Sequence, residues 1–585
     1  MTNALRTKLG VGVALVMLTS WAGCVASGIV EERPDAPLPE AGSGPGLFEP
    51  PDAEGPCPIR CSSDLRGAED CRGNVVLACK DGEGCLDNAC VSACKAAEAA
   101  QGTLGCDFFV ASVAFEHTFG AAIPGTCATV MVANGGRLPV SITATYEGRP
   151  VDLTPHGRIA RARGATLEYE PMPADGAIPP EGIVAFFLRQ DRDGVCPAPP
   201  HSTGPMLKGT GFGTSYRIQT SQPVTAYSVL PGLTLTTSLA LLYPAASWGT
   251  SYVAAVSEMG AEERALRNLA AASGDDKGAI ILVAREPSTV LVTPSKDLVG
   301  NQDAGVRSVA KGSSRHFTLE AGGVLQLSQE DNLSGTVVIS DKPIGMLTGS
   351  TSYQHIGRHH QLPPVRAIGR RYAAIRPGDR DLRFPEKHGW RFVGIVDGTK
   401  LSYQPGPPPD APVEIGPGTV VEIETTDRFV VESQDEQHPF LLLEGTRRAV
   451  GTTSDIFYES VPAVSLEQFV SGQIFYTVPG FEKGHLVVVR EADRGGVFHP
   501  VELDCLGAIT GWESIDAAGH YQYALVDTPL FDFDKQTTVC ELGRRSMRST
   551  APFGVTVWGW RGAQTYAYPA AAGLRVLNQV DVGVR

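Results

Sequence analysis

Leu242-Tyr243-Pro244, followed by Trp248-Gly249-Thr250-Ser251-Tyr252, has a near-copy 120 residues on: Leu362-Pro363-Pro364, then Ile368-Gly369-Arg370-Arg371-Tyr372 at the same spacing. A weaker echo starts at Val461-Pro462 and runs through Phe469. A second template lies upstream of each: a strand-like run, a Ser, a short turn, then Pro and another strand-like run. It reads Tyr216–Thr220, Ser221, Pro223, Val224–Tyr227, and again Thr336–Ile339, Ser340, Pro343, Ile344–Leu347. A looser copy is Phe429–Ser433 with Pro439–Leu443. Such a template is a β-hairpin in which Ser and Pro set the turn and Pro opens a strand, where it removes no ladder N–H. Fixed-offset recurrence is the signature of repeated modules.

The surrounding sequence has the same texture. Thr129–Ala133, Ser141–Tyr146, Ile183–Leu188, Gly278–Val283 and Arg391–Val396 are short, rich in β-branched and aromatic residues, and bounded by Gly, Pro and Asp. That pattern predicts antiparallel sandwiches. One segment, Glu258–Ala272, reads as a lone helix or an ordered insertion. The expected fold is mainly β: tandem antiparallel β-sandwich-like modules, preceded by a small disulfide-rich module and a disordered tether. The sections fall at 106–250, 251–370, 371–455 and 456–585.

Residues 57–105 form the stapled module. Eight cysteines crowd its length and edge: Cys57, Cys61, Cys71, Cys79, Cys85, Cys90, Cys94 and Cys106. About 50 residues bury too little surface to fold without covalent support. Zinc is the rival reading of close cysteines, but an oxidising compartment favours disulfides. Eight cysteines allow 105 pairings, among which sequence does not choose. Ala93–Ala100 is expected to be a short helix closing the module. Cys127 with Cys196, and Cys505 with Cys540, are expected to lock the first and last β-sections.

Arg6 and Lys8 precede an apolar run from Leu9 that ends at Ala22-Gly23-Cys24. A basic start, a short apolar core and small residues before a cut describe an export signal over 1–24. The run is shorter than the roughly 20 residues that span a bilayer. Cys24 resembles the lipidated cysteine of a lipobox, although Trp21 stands where an aliphatic residue is usual. Setting Cys24 aside turns thirteen cysteines into an even twelve. Residues 25–56, rich in Pro, Glu and Gly, are expected to be a disordered tether. The membrane partner is then reached through lipid on Cys24, which places the chain in the cell envelope, at the outer membrane or cell surface.

Several segments resemble a family of bacterial, myxobacterial-type lipoproteins that carry the IgGFc-binding-protein N-terminal domain. They are Gly105–Phe109 with Val132-Ala133-Asn134, Pro223–Tyr227 with Ser238–Gly249, and Lys342–Ser350 with His360–Pro364. Phe553–Trp560 and Thr565–Pro569 complete the set. The chain departs from the family in lacking a cysteine pair around Ser350–His360 and in carrying Ile368 where Trp is frequent. The resemblance implies a β-rich extracellular binder and does not by itself imply antibody binding.

Chemistry is sparse. Gly-x-Ser-x-Gly, the Walker loop and His-Glu-x-x-His are absent, so the commonest hydrolase, nucleotide and zinc-protease signatures have no anchor. His355, His359 and His360 cluster, but beside Gly357 and Pro363-Pro364 they read as a polar loop. Asp191-Arg192-Asp193-Gly194 lacks the further ligands of an EF-hand. No catalytic, cofactor or metal residue is assigned. A net charge of -15 argues against nucleic acid as a partner. Trp558, Trp560, Tyr566 and Tyr568 alternate along strands; on one exposed face they would grip a protein or stack on sugar. The expected function is a surface-anchored, non-enzymatic binding or adhesion protein, its ligand an extracellular protein or glycan. The alternatives are an exported hydrolase with a dispersed site and a structural envelope component.

Overall fold

The computed structural model describes residues 59–62, 65–70, 74–113, 127–163, 166–191, 196–231, 237–256, 277–350, 358–379, 386–449, 460–479, 481, 483–532, 537–561 and 564–583. The chain divides into Met1–Pro56, which lies outside the described residues, and one compact unit, Cys57–Arg585. Cys24, the expected tether, Cys57, Cys71, His355 and Glu258–Ala272 therefore fall outside the description.

The fold is mostly β and overwhelmingly antiparallel. Its strands read as unbroken apolar runs where both faces are covered: Gly278–Ala284 is buried at every position. The second section shows the module plan most clearly. An entry strand, Gly249–Val253, pairs with the first half of Val337–Ser350. Ser288–Thr293 pairs with that same half and with Arg315–Leu319. The second half of Val337–Ser350 instead pairs with Gly278–Ala284 and with an exit strand, Arg358–Gln361. Gly278–Ala284 carries Gly323–Gln329 on its other edge. Two four-stranded sheets thus share one strand that crosses between them at Ser340–Pro343.

The crossing follows from local chemistry. Pro343 has no N–H to give to a ladder, and the Ser340 hydroxyl donates to the Lys342 carbonyl at 2.6 Å, holding the bend. In the first section the strand is Gly211–Pro231, and Thr220, not the neighbouring Ser221, makes the equivalent bond, to the Gln222 carbonyl at 2.8 Å. In the third section the bend widens into a turn between Phe429–Ser433 and Phe440–Ala449. There the Ser433 hydroxyl reaches the His438 carbonyl, also at 2.6 Å. A fourth crossing strand, Gly543–Arg561, changes partners around Pro552.

Between modules the first template becomes a single 3-10 turn. These turns are Ala245–Ser247, Val365–Ala367 and Leu466–Gln468. Before each, one backbone N–H reaches the residue three places after the repeat proline: Leu242 to Ala226, Leu362 to Met346 and Ala463 to Leu442, all 2.9 Å. Ala570 to Val555, again 2.9 Å, repeats the bond after Pro552. The template tyrosine ties each entry strand to the crossing strand of its own module. Tyr252 Oη donates to the Ile344 carbonyl at 2.6 Å and Tyr372 Oη to the Phe440 carbonyl at 2.7 Å. In the fourth module Gln473 Nε2 takes that place on Phe553, at 2.7 Å.

Each module packs on two others. Gly211–Thr214 of the first pairs with Gly323–Gln326 of the second. Val393, Ile395, Leu441 and Leu443 of the third join the second module's core. The third and fourth share Ile375, Val430, Val487 and Trp558. The cycle closes where Tyr227 Oη donates to the Ile474 carbonyl at 3.0 Å and its ring meets Tyr568 at 5.3 Å. Residues 570–583 then run across the turns: Asn578 Nδ2 donates to the Val365 and Ile368 carbonyls at 2.8 and 2.9 Å, and the Ala572 N–H reaches Thr103 Oγ1 at 3.2 Å.

In the N-terminal stapled module the helix spans Ala93–Ala100, with Ser92 Oγ accepting from the Lys95 N–H. Disulfides join Cys61–Cys85, Cys79–Cys90 and Cys94–Cys106. Cys127 is bonded to Cys196 and Cys505 to Cys540, each pair with its Cα atoms 5.3 Å apart.

Candidate functional site

The four aromatic residues read as a possible binding face are core instead. Trp558, Trp560, Tyr566 and Tyr568 are at most 4% exposed. Nor do they share a face. In the pairing of the last two strands, Trp558 lies opposite Ala567 and Tyr568 opposite Val557, so the tryptophans project to one side and the tyrosines to the other. The indoles stack on each other at 6.0 Å and enter the core shared with the third module. The phenol rings join the core shared with the first module, where Tyr566 Oη and Tyr568 Oη accept from the Val478 and Tyr476 N–H groups, both at 2.9 Å. With neighbouring modules on both faces of this strand pair, these four rings are not open to a ligand.

Polar side chains gather instead where exit strands meet. Thr237–Leu241 packs against Arg358–Gln361 and against Gln564–Pro569. His359 is buried between two serines: Nδ1 is 2.8 Å from Ser238 Oγ and Nε2 is 2.9 Å from Ser228 Oγ. Burial, then the neighbouring His360, pull its pKa down to about 3, so the ring is neutral and one nitrogen donates while the other accepts. A serine–histidine contact suits nucleophilic chemistry only where substrate reaches it; this one is sealed. Two residues along the same strand face, Gln361 Oε1 accepts from the Tyr243 N–H at 2.7 Å. Asp191, weighed as a calcium ligand, is buried, accepts from the Met206 N–H at 3.1 Å and pairs with Lys208 Nζ at 2.5 Å. Among the described residues no cluster of His, Cys, Asp or Glu could hold a metal ion, and no helix is long and apolar enough to cross a membrane.

The module plan also fixes where connections emerge. The crossing strand ends beside the start of the second strand in each module, as Ser350 opposite Gly278, Ala449 opposite Glu386 and Trp560 opposite Lys483 show. In the first, Val229 lies opposite Thr129. The connections after the entry strand and after the crossing strand therefore leave from one end of every module. Neighbouring ends coincide. Ser238 and His359, each second in its exit strand, touch, and the Gly378 N–H of the third module donates to His485 Nδ1 of the fourth at 2.7 Å. Residues such as 257–276, 351–357 and 450–459, which make these connections, lie outside the described residues.

A chain of four like β-modules in a closed cycle is a β-repeat protein. Its family is shown by comparison: the family model for IgGFc binding protein matches residues 238–559, more than half of the chain. The chain belongs to that family. Human IgGFc-binding protein is 26% identical over 357 residues, which is 59% of this chain and 6% of the human protein. The chain thus corresponds to a small fraction of that relative's length. A solved tetra-tandem repeat from the extending region of a large adhesion protein aligns over 80% of this chain and 98% of its own, at 9% identity and a TM-score of 0.06; at that score it carries no argument.

Proposed function

We propose that this chain is an exported, non-enzymatic binding protein that engages an extracellular protein through the connections at the loop-bearing end of its module cycle. The observation that supports the reading is the pairing of module ends: each module's two connections leave from one end, and these ends touch between the first and second modules and between the third and fourth. Recognition residues belong on loops positioned by a rigid scaffold. Burial of Trp558 and Trp560 removes the sugar-stacking surface and favours protein over glycan. The human relative's name describes binding to the Fc of immunoglobulin G, which makes Fc the first probe. The reading extends to anchoring through lipid on Cys24, with residues 25–56 as the tether. Replacing residues 257–276 by a Gly-Ser segment of equal length is expected to abolish binding while leaving thermal unfolding unchanged. Cys24→Ala is expected to release the chain from membranes; retention of this variant would overturn the anchoring.

A further inference from the structure

The junction between the third and fourth modules hides a second polar site. His388 and Glu444 lie on neighbouring strands, Glu386–Gly394 and Phe440–Ala449, with His388 Nε2 3.1 Å from Glu444 Oε1. Both side chains are about 5% exposed or less. The atoms are within reach of each other but off the ideal hydrogen-bond line. The imidazole sits against two indoles from two modules, 5.8 Å from Trp390 and 5.4 Å from Trp558. The stack continues from Trp558 to Trp560 at 6.0 Å and on to His485 at 5.1 Å. Trp390 Nε1 and Trp558 Nε1 are buried without a hydrogen-bond partner among the described residues, which marks a dry site.

We propose that the His388–Glu444 pair makes this junction a pH-sensitive joint, closed while the pair holds its proton and loosened when the proton leaves. A lone carboxylate in such surroundings has no adequate compensation for lost hydration. Burial accordingly pushes the Glu444 carboxyl well above the ordinary carboxylate range. The sign follows. A carboxyl raised by folding contributes its full stability below about pH 4.5, where the unfolded chain is also protonated. That contribution is lost as pH rises through the folded value. Several described ionisable groups stand on the elements packed here, among them Arg376, whose Nε donates to the Thr426 carbonyl, and Arg428, whose guanidinium lies over the Tyr523 ring. Glu386, two residues before His388 on the same strand face, is another acid. His485 lies beyond the Trp558–Trp560 stack and pairs with Asp527 at 3.2 Å. Arg391 projects to the opposite face, where it pairs with Glu422. Both strands belong to the third module, and the His388 ring carries the contact to Trp558 of the fourth, so a displacement of the pair is felt at the junction.

The test uses the purified chain between pH 5 and 9, with thermal unfolding, tryptophan emission and amide hydrogen exchange in Lys483–Glu491. The parent protein is expected to lose thermal stability as pH rises. Glu444→Gln, which keeps the shape and removes the charge, is expected to flatten that profile and to slow exchange in Lys483–Glu491 at pH 8.5 about tenfold relative to the parent at the same pH. Glu444→Met provides the same comparison should the amide fail to fold. An unchanged pH slope in both variants, or exchange that is equal in variant and parent, would overturn the proposal.

Discussion

Gly249 lies directly beneath Pro364: a Cβ on the glycine would stand 2.5 Å from the proline's own Cβ. The same contact recurs around the cycle. A Cβ on Gly105 would be 2.5 Å from Pro244, and one on Gly369 would be 2.4 Å from Ser465. Each glycine opens a module, and each facing residue caps the 3-10 turn that leaves the same module. The repeated Gly is thus explained by the repeated Pro or Ser 96 to 139 residues downstream. Gly249→Ala and Gly369→Ala are expected to destabilise by about 1–3 kcal/mol through overpacking. Gly472→Ala, where a Cβ meets open space, should change stability by less than about 0.5 kcal/mol. Denaturant midpoints for the three variants check this.

The template tyrosines give a second expectation. Tyr252→Phe and Tyr372→Phe each remove a buried hydroxyl donor and leave the Ile344 or Phe440 carbonyl short of a partner. A loss of about 1–3 kcal/mol per variant is expected. Gln473→Leu in the fourth module should behave alike, since its amide fills the same role. Equal stability of parent and variants would show that these bonds are incidental.

Disulfide removal should be graded by the loop each bond closes. Cys127–Cys196 spans 69 residues and Cys94–Cys106 spans 12. Chain-entropy bookkeeping assigns them about 4 and about 3 kcal/mol respectively. Double Ser variants, compared by equilibrium unfolding, should fall in that order.

His359 sets an acid limb. Its folded pKa, pulled down to about 3 by burial, lies below the ordinary histidine value near 6.5. A depressed group contributes stability above the unfolded value and loses it as pH falls toward the folded one. Stability should therefore decline between about pH 6.5 and pH 3, and His359→Gln should shallow that decline in a pH series of thermal melts. The parent's slope persisting in the variant would assign the acid limb elsewhere.

Much of this architecture was legible in the chain. Periodicity and fixed offsets locate the turns after Pro244 and Pro364, because a Pro cap and a Gly beneath it leave a fixed sequence mark. The fourth crossing strand was missed, although Ser549 stands three residues before Pro552 as Ser340 does before Pro343; its entry strand carries Gln473 where the template has Tyr. Trp558 and Trp560 were misjudged for a different reason. Alternation along a strand reports which residues share a face but not whether a second module covers that face. The polar contacts of His359 and the His388–Glu444 pair join residues tens to hundreds of positions apart, and only strand pairing and the packing of adjacent modules bring them together.

The most direct test of the central claim is a binding titration of the purified chain against immunoglobulin G Fc and a panel of extracellular proteins, run in parallel with the 257–276 replacement and with Val497→Ser. Val497 is exposed on the fourth module, away from the loop-bearing end. Saturable binding to a protein that is lost with the loop replacement and kept in Val497→Ser is the expected result. Binding indifferent to the loop replacement, or turnover of a glycan or peptide substrate without saturable protein binding, would contradict it.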